Sequence, residues 1–234
     1  DRRPVTDVLL TFGSATLELA IYTLIVALIV GLPLGMLAAY YRDRGPDAIL
    51  RVFAIFTYAT PVFFSGLIMK LIFGVWLGWL PVSDRASIAT ELQLQMLPDP
   101  SGIYLIDAIR TGSMANVVDV RLHAILPALT LGMMFAGVFL RLVRTNMIGT
   151  IGREYIDSGR SRGVGEYRLV TKHAYRPALI PILTVIGLQI ALLLGGAVLT
   201  ETTFEWKGLG FQLAHYLSAR DFVAVQGIVA LLAV

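Results

Sequence analysis

The stretch Leu19–Tyr41, LAIYTLIVALIVGLPLGMLAAYY, carries no charge between Glu18 and Arg42. A helix of that length rises about 34 Å, enough to cross a hydrocarbon core of about 30 Å. The pattern repeats along the chain. Val52–Ser83 is interrupted by one charge, Lys70; Leu122–Leu140 and Pro177–Thr200 are uncharged and of spanning length; Phe222–Val234 begins a further run. Buried helices of a soluble core do not recur with such uncharged lengths. Bulk composition agrees, with 56% hydrophobic and 15% charged residues, where soluble domains carry about a quarter charged. The reading is an all-α polytopic membrane protein, residues 1–234 forming one transmembrane domain of four complete spans and a truncated fifth. The polar opening Asp1-Arg2-Arg3-Pro4 lacks an initiator Met, and the last run is too short to span, so both ends read as cut.

Charge gives the sidedness, because Lys and Arg gather in cytoplasmic loops. Arg42, Arg44 and Arg51 lie between the first two runs, and Arg141, Arg144, Arg153, Arg160, Arg162, Arg168, Lys172 and Arg176 between the third and fourth. The loop 84–121 has three arginines but five carboxylates, and the segment after the fourth run is also acid-bearing. Residues 42–51 and 145–176 are therefore expected inside, and 84–121 and 201–220 outside. The net charge of +3 thus reflects topology, not nucleic-acid binding. Trp76 and Trp79 mark the outer interface, where indoles favour the headgroup level. In the outer loop, Leu92, Met96 and Leu97 predict the apolar face of a short helix ending at Pro98. Ile103, Leu105, Ile106 and Ile109 predict a second amphipathic piece.

Several chemistries are excluded. Without cysteine there is no disulfide, zinc–thiolate or Cys nucleophile in this segment. None of the three lysines, Lys70, Lys172 and Lys207, follows the glycine spacing of a phosphate loop, so the chain is not its own P-loop ATPase. His123, His173 and His215 are too scattered for a zinc helix. Gly159-Arg160-Ser161-Arg162-Gly163 fits the Gly-x-Ser-x-Gly pattern but has no preceding strand, and is rejected as a nucleophile elbow. Gly31–Gly35, Gly74–Gly78 and Gly159–Gly163 have the small-xxx-small spacing that permits close helix approach. No Asp or Glu lies deep inside a run, which argues against the rival reading of a self-powered channel or ion-coupled secondary transporter.

The informative loop is Gly152–Pro181, GREYIDSGRSRGVGEYRLVTKHAYRPALIP. Ile148, Ile151, Tyr155 and Ile156 recur at helical spacing and predict that the third span extends into the cytoplasm. Gly163-Val164-Gly165 then breaks the helix. A second short helix is expected from Glu166 to Pro177, with its acid first and Lys172, His173 and Arg176 last, matching the helix dipole. Ser158, Gly159, Ser161 and Gly163 remove bulk on one side, letting another protein's groove approach the backbone.

These residues resemble the EAA loop of binding-protein-dependent ABC importer permeases, in the dipeptide/oligopeptide branch that also includes nickel and glutathione permeases. The pattern there is close to E-Y-x-x-x-A-R-A-K-G-L…H-A-x-R-N-A-L-I-P. This chain supplies Glu154, Tyr155, Arg160, Gly163, His173, Ala174, Arg176, Ala178, Leu179, Ile180 and Pro181. It departs with Gly159 and Ser161 for the two alanines, Arg162 for the lysine and Pro177 for the asparagine. Ala15–Ala20, Gly31–Gly35, Leu77–Ser83, Leu126–Thr130, Gly195–Val198, Glu201–Gly210 and Arg220–Gly227 are also similar to that branch.

The resemblance implies a type I ABC importer permease fold, with six spans in the full chain, in the bacterial plasma (inner) membrane. It implies a second homologous permease subunit, two ATPase subunits and an extracytoplasmic solute-binding protein as partners. No cofactor is expected in this chain, ATP and Mg residing on the ATPases. The coupling loop 145–176 is expected to seat in an ATPase cleft through Glu154, Tyr155, Ser158, Gly159, Arg160, Gly163, Val164, His173 and Arg176. Its role is mechanical, so the chain is not expected to be an enzyme. Lys70 and Gln189 are candidates for the translocation pathway. The implied cargo is a di- or oligopeptide, with nickel complexes or glutathione as the alternative.

Overall fold

The computed structural model describes residues 5–232; the opening Asp1–Pro4 and the end of the run Phe222–Val234 lie outside the described residues. Twelve helices follow in order: α1 (Val5–Tyr40), α2 (Gly45–Ala59), α3 (Val62–Met69), α4 (Ile88–Gln95), α5 (Tyr104–Arg110), α6 (Met114–Ile151), α7 (Glu154–Ser161), α8 (Glu166–Arg168), α9 (Tyr175–Gly196), α10 (Val198–Phe204), α11 (Leu209–Ser218) and α12 (Phe222–Leu232). The π-helical segments Lys70–Trp76 and Leu169–Ala174 continue α3 and α8. No strand occurs among the described residues. α1, with 36 residues, and α6, with 38, contain segments long and apolar enough to cross a membrane, and α2 with α3 and its π-helical extension qualifies as one broken span.

Four expectations are corrected. Val52–Ser83 is not one helix. Thr60 (φ −76°, ψ 127°) and Pro61 (φ −57°, ψ 132°) leave helical space, because proline disfavours the α conformation in the residue before it. Pro177–Thr200 divides at Ala197, between α9 and α10. α6 stops at Ile151, so Tyr155 and Ile156 belong to the separate α7. The fourth concerns Pro177, which does not end a helix; α9 runs through it. A proline ring clashes with the carbonyl four residues back. The wide π turn at Leu169–Ala174, immediately upstream, contains that residue, His173.

Inter-residue contacts divide the chain into two compact units. One comprises Asp1–Thr23, Pro61–Leu131 and Ala191–Val234, the other Leu24–Thr60 and Gly132–Ile190. In the first, Trp206, Phe204, Leu19 and Leu94 are among the fully buried side chains. The two short helices of the 84–121 loop form, but their apolar faces are only partly those expected: Leu97, Ile103 and Leu105 are half-buried, with Leu105 packed against the core of this unit. α4 buries Leu94 and leaves Leu92 and Met96 exposed, while α5 buries Asp107 and Ala108 and leaves Ile106 and Ile109 exposed. Asp107 is turned inward because its carboxylate accepts hydrogen bonds from the Ser101 and Gly102 amides and the Ser101 hydroxyl, at 2.8–3.0 Å. A polar anchor outweighs the hydrophobic pattern there. Trp76 and Trp79 are exposed, as interfacial anchors should be.

In the second unit, α1 and α6 meet without side chains between them at Gly31 and Gly35. A Cβ on Gly31 would sit 2.8 Å from the Ala136 carbonyl oxygen, and one on Gly35 2.6 Å from Val143 Cβ. Here the small-xxx-small spacing serves an intramolecular interface. Asp47, fully buried, takes a two-pronged contact from Arg144 (Nε–Oδ1 2.6 Å, Nη2–Oδ2 2.8 Å) and a third bond from the Asp43 amide. This pairing ties the 42–51 segment to α6, and the arginine fork matches the carboxylate geometry.

Candidate functional site

The segment singled out by sequence folds as a closed knob. α7 ends in a Schellman motif: the Gly163 amide donates to the Arg160 carbonyl (3.0 Å) and the Val164 amide to the Gly159 carbonyl (3.1 Å). Gly163 occupies the left-handed position the motif requires, at φ +80°, with no atom near its missing Cβ. The chain then reverses into α8. Ile156, Leu169 and Ala174 form the knob's buried centre, with Ile151 and Val164 packed against it.

Arg160 braces the two halves. Its guanidinium donates through Nε and Nη2 to the two oxygens of Glu166, at 3.0 and 2.9 Å, and through Nη1 to Asp157 at 2.6 Å. The Arg160 hydrogen bond holds the Glu166 carboxyl below its ordinary range. Val170, Ala178 and Ile182 pack with Ala39, Val143 and Met147, joining the π segment and α9 to α1 and α6 within this unit. The knob is thus packed as an integral part of the unit.

Besides Arg160, which is exposed, the expected contact residues fall into two groups. Glu154, Tyr155, Ser158, Gly163, His173 and Arg176 are exposed. Gly159 faces inward, its missing Cβ 2.8 Å from Leu169 Cδ2, and Val164 is half-buried in the centre. The small-residue strip is therefore divided, with Gly159 serving internal closure. Tyr155 Oη reaches the His173 carbonyl at 3.5 Å, the same carbonyl that Pro177 cannot pair. Ser161 lies at the end of α7, its hydroxyl donating to the Asp157 carbonyl. A cleft of about 430 Å³ beside the knob is lined by Arg42, Arg44, Arg160 and Glu166 among others.

Lys70 lies in the first unit and Gln189 in the second. Lys70 Nζ donates to the Thr203 carbonyl at 2.7 Å and stands 5.5 Å from the centre of the Phe204 ring. Gln189 is half-buried on α9. Among the described residues, no group of three or more His, Cys, Asp or Glu could hold a metal ion.

Sequence reasoning missed two buried carboxylates of the first unit. Glu18 accepts from Arg85, from the Tyr104 and Leu105 amides at the start of α5, and from the Tyr22 hydroxyl. Arg85 also lies 3.6 Å over the Tyr104 ring. Glu201 accepts from the Thr16 hydroxyl (2.7 Å) and the Phe211 amide (2.9 Å), while Thr16 accepts from the Leu209 amide (2.8 Å). A Cβ on Gly208 would lie 2.5 Å from the Glu201 carboxylate, so the turn closes only around glycine. Ala15–Ala20 and Glu201–Gly210 stood out in the sequence as separate stretches. Their pairing across 185 positions has no one-dimensional signature.

The membrane-length apolar helices, with the family match that follows, make this an all-α polytopic permease, a transport component of a membrane. The chain belongs to the family described as the binding-protein-dependent transport system inner membrane component, which matches residues 31–234, and within it to the dipeptide/peptide ABC permeases. It is 38% identical over 235 residues to the dipeptide transport system permease protein DppB of Escherichia coli K12, covering 99% of this chain and 68% of that protein. It is 38% identical over 232 residues, with the same coverages, to the di/tripeptide transport system permease protein DppB of Pseudomonas aeruginosa UCBPP-PA14. The peptide transport system permease protein SapB of Salmonella typhimurium LT2 is 34% identical over 214 residues, covering 90% of this chain and 65% of that protein.

Proposed function

We propose that this chain is the translocation subunit of an ATP-driven importer of di- or oligopeptides in a bacterial inner membrane. It crosses that membrane several times and works beside a second homologous permease subunit. Two ATPase subunits carry the ATP and Mg, and an extracytoplasmic binding protein delivers cargo. The knob at 152–176 seats in an ATPase, and nucleotide-driven closure biases a bistable bundle between its two accessible states. The observation that carries this reading is the knob's internal closure and its packing onto the long helices. A closed turn, the Arg160–Glu166 brace and a shared core with α1, α6 and α9 let it pass on displacement instead of absorbing it. Glu154, Tyr155, Gly163, His173 and Arg176 form the contact surface. The peptide cargo is carried over from the printed names of the relatives.

The test is a Gly163 series in the assembled transporter. Asn and Asp tolerate the left-handed region better than other side chains, so Gly163→Asn and Gly163→Asp both fit φ +80°. Gly163→Asn is expected to insert and to co-purify an ATPase. Gly163→Asp should insert equally well and lose binding-protein-stimulated ATP hydrolysis and dipeptide uptake. Normal uptake by Gly163→Asp would overturn the docking assignment. Uptake of nickel or glutathione, with no uptake of dipeptide by the wild type, would overturn the cargo.

A further inference from the structure

We propose that the cleft between α2 and α6 binds an anionic phospholipid, its phosphate held by Arg51 and Arg141 and an acyl chain lying along Ile55 and Tyr58. The cleft lies wholly within the second unit and has a volume of about 390 Å³. That is within the range of small-ligand sites. Its floor exists because Gly137 has no side chain. A Cβ there would stand 3.0 Å from the Ala54 carbonyl oxygen, so the helices touch at this point and diverge beside it.

The charges decide the ligand. Asp47 and Arg144 neutralise each other through two short bonds. Arg51 approaches Asp47 only at 3.8 Å, with its side chain half exposed. Arg141 is in no ion pair among the described residues; its guanidinium lies 5.7 Å from the Tyr58 ring. Three arginines, Arg51, Arg141 and Arg144, thus share the single carboxylate of Asp47, which leaves a net positive charge on an apolar wall. The outer face of α2 is apolar and uncovered: Val52, Ile55 and Phe56 are each about two-thirds exposed. Such a face suits hydrocarbon. Its arginines belong to the segments whose charge assigns them to the cytoplasmic side, where anionic headgroups concentrate. A phospholipid has both parts in the required order, a phosphate at the interface and a chain below it. The inference rests on membrane placement and family membership, and does not depend on the cargo or on the coupling role of the knob.

The experiment uses the purified full chain with its partner subunits, by native mass spectrometry with dioleoyl phosphatidylglycerol or dioleoyl phosphatidylcholine added. Basic residues near a membrane surface each contribute roughly a fivefold preference for anionic lipid. Arg51→Gln with Arg141→Gln should therefore weaken phosphatidylglycerol binding about 25-fold and weaken phosphatidylcholine, whose choline offsets the charge of its phosphate, far less. Both arginine side chains are exposed to a large extent, so the variant is expected to fold. Equal phosphatidylglycerol binding by variant and wild type would overturn the proposal, as would displacement of the lipid by millimolar glycerol phosphate, which would indicate a site for free phosphate. A second readout attaches bimane at Ile55→Cys, residues 1–234 having no cysteine, with the unsubstituted complex as the labelling blank. Brominated phosphatidylglycerol should quench it more than brominated phosphatidylcholine, and the difference should vanish in the double arginine variant. A bimane quenched by neither lipid would mean that a protein partner covers the cleft, and would overturn the proposal equally.

Discussion

Substituting Gly35 by Ala places one methyl group between α1 and α6. Its Cβ would lie 2.6 Å from Val143 Cβ and 2.8 Å from the Leu140 carbonyl oxygen, where ordinary contact begins at 3.4 Å. Both neighbours are fixed to the α6 backbone, so no rotamer change relieves them, and the helices must separate by about 0.6–0.8 Å. Overpacking of this kind costs about 1–3 kcal/mol. Ala also gains about 0.8–1 kcal/mol over Gly as a helix former, and a control must remove that term. Gly187 supplies it, lying within α9 with nothing inside 4 Å of its missing Cβ. Reversible unfolding in mixed micelles of mild detergent and SDS, followed by far-UV circular dichroism, should rank Gly187→Ala at or above wild type. Gly35→Ala should fall about 1–3 kcal/mol below Gly187→Ala. Gly31→Ala meets the Ala136 carbonyl oxygen and Phe139 Cβ at 2.8 Å and should behave alike. Once either methyl has parted the helices the other fits more easily, so the double variant should lose less than the sum by at least ~0.5 kcal/mol. If Gly35→Ala is as stable as Gly187→Ala, the close approach of α1 and α6 is wrong.

Lys70 is engaged by the Thr203 carbonyl and the Phe204 ring, so Lys70→Gln should slow uptake of a free peptide and its C-terminally amidated analogue equally. A larger loss for the free peptide would show that the ammonium meets the substrate's carboxylate. The Glu166 carboxyl is held low in the folded state by the Arg160 hydrogen bond. Its contribution to stability is therefore present above the ordinary glutamate value of about 4.3 and lost as pH falls through the lowered one. A carboxyl-¹³C titration should show Glu166 rising in Arg160→Gln, and an unmoved titration would dismiss the brace. For topology, an impermeant maleimide on intact cells should label Ser101→Cys and spare Ser161→Cys, and the reverse pattern would invert the assigned sidedness.

Much of the architecture is legible along the chain because a bilayer imposes a one-dimensional rule. Uncharged length alone marks Leu19–Tyr41 and Leu122–Leu140, and apart from Tyr41, in the turn after α1, each lies within a single helix. The bend at Gly163 is likewise local chemistry, since a Schellman closure needs a left-handed residue and glycine supplies it without steric cost. Hydrophobic pattern misled where a polar anchor was stronger. Asp107 turns α5 inward against Ile106 and Ile109, and in α4 Leu94 takes the buried place expected of Leu92 and Met96.

What tertiary structure decided are the encounters between distant positions. Arg160 reads in sequence as a contact for an ATPase; the fold leaves it exposed and also makes it a brace within the knob, because Glu166 comes back to it across the turn. Gly159 reads as an opening for a partner and proves to be space reserved for Leu169. Glu18 and Glu201 read as boundary acids and prove to be buried hubs, since only folding brings Arg85, Thr16 and the α5 and α11 amides to them. A buried carboxylate is tolerable only where donors converge on it, and that convergence is a property of the packed chain that no local stretch encodes.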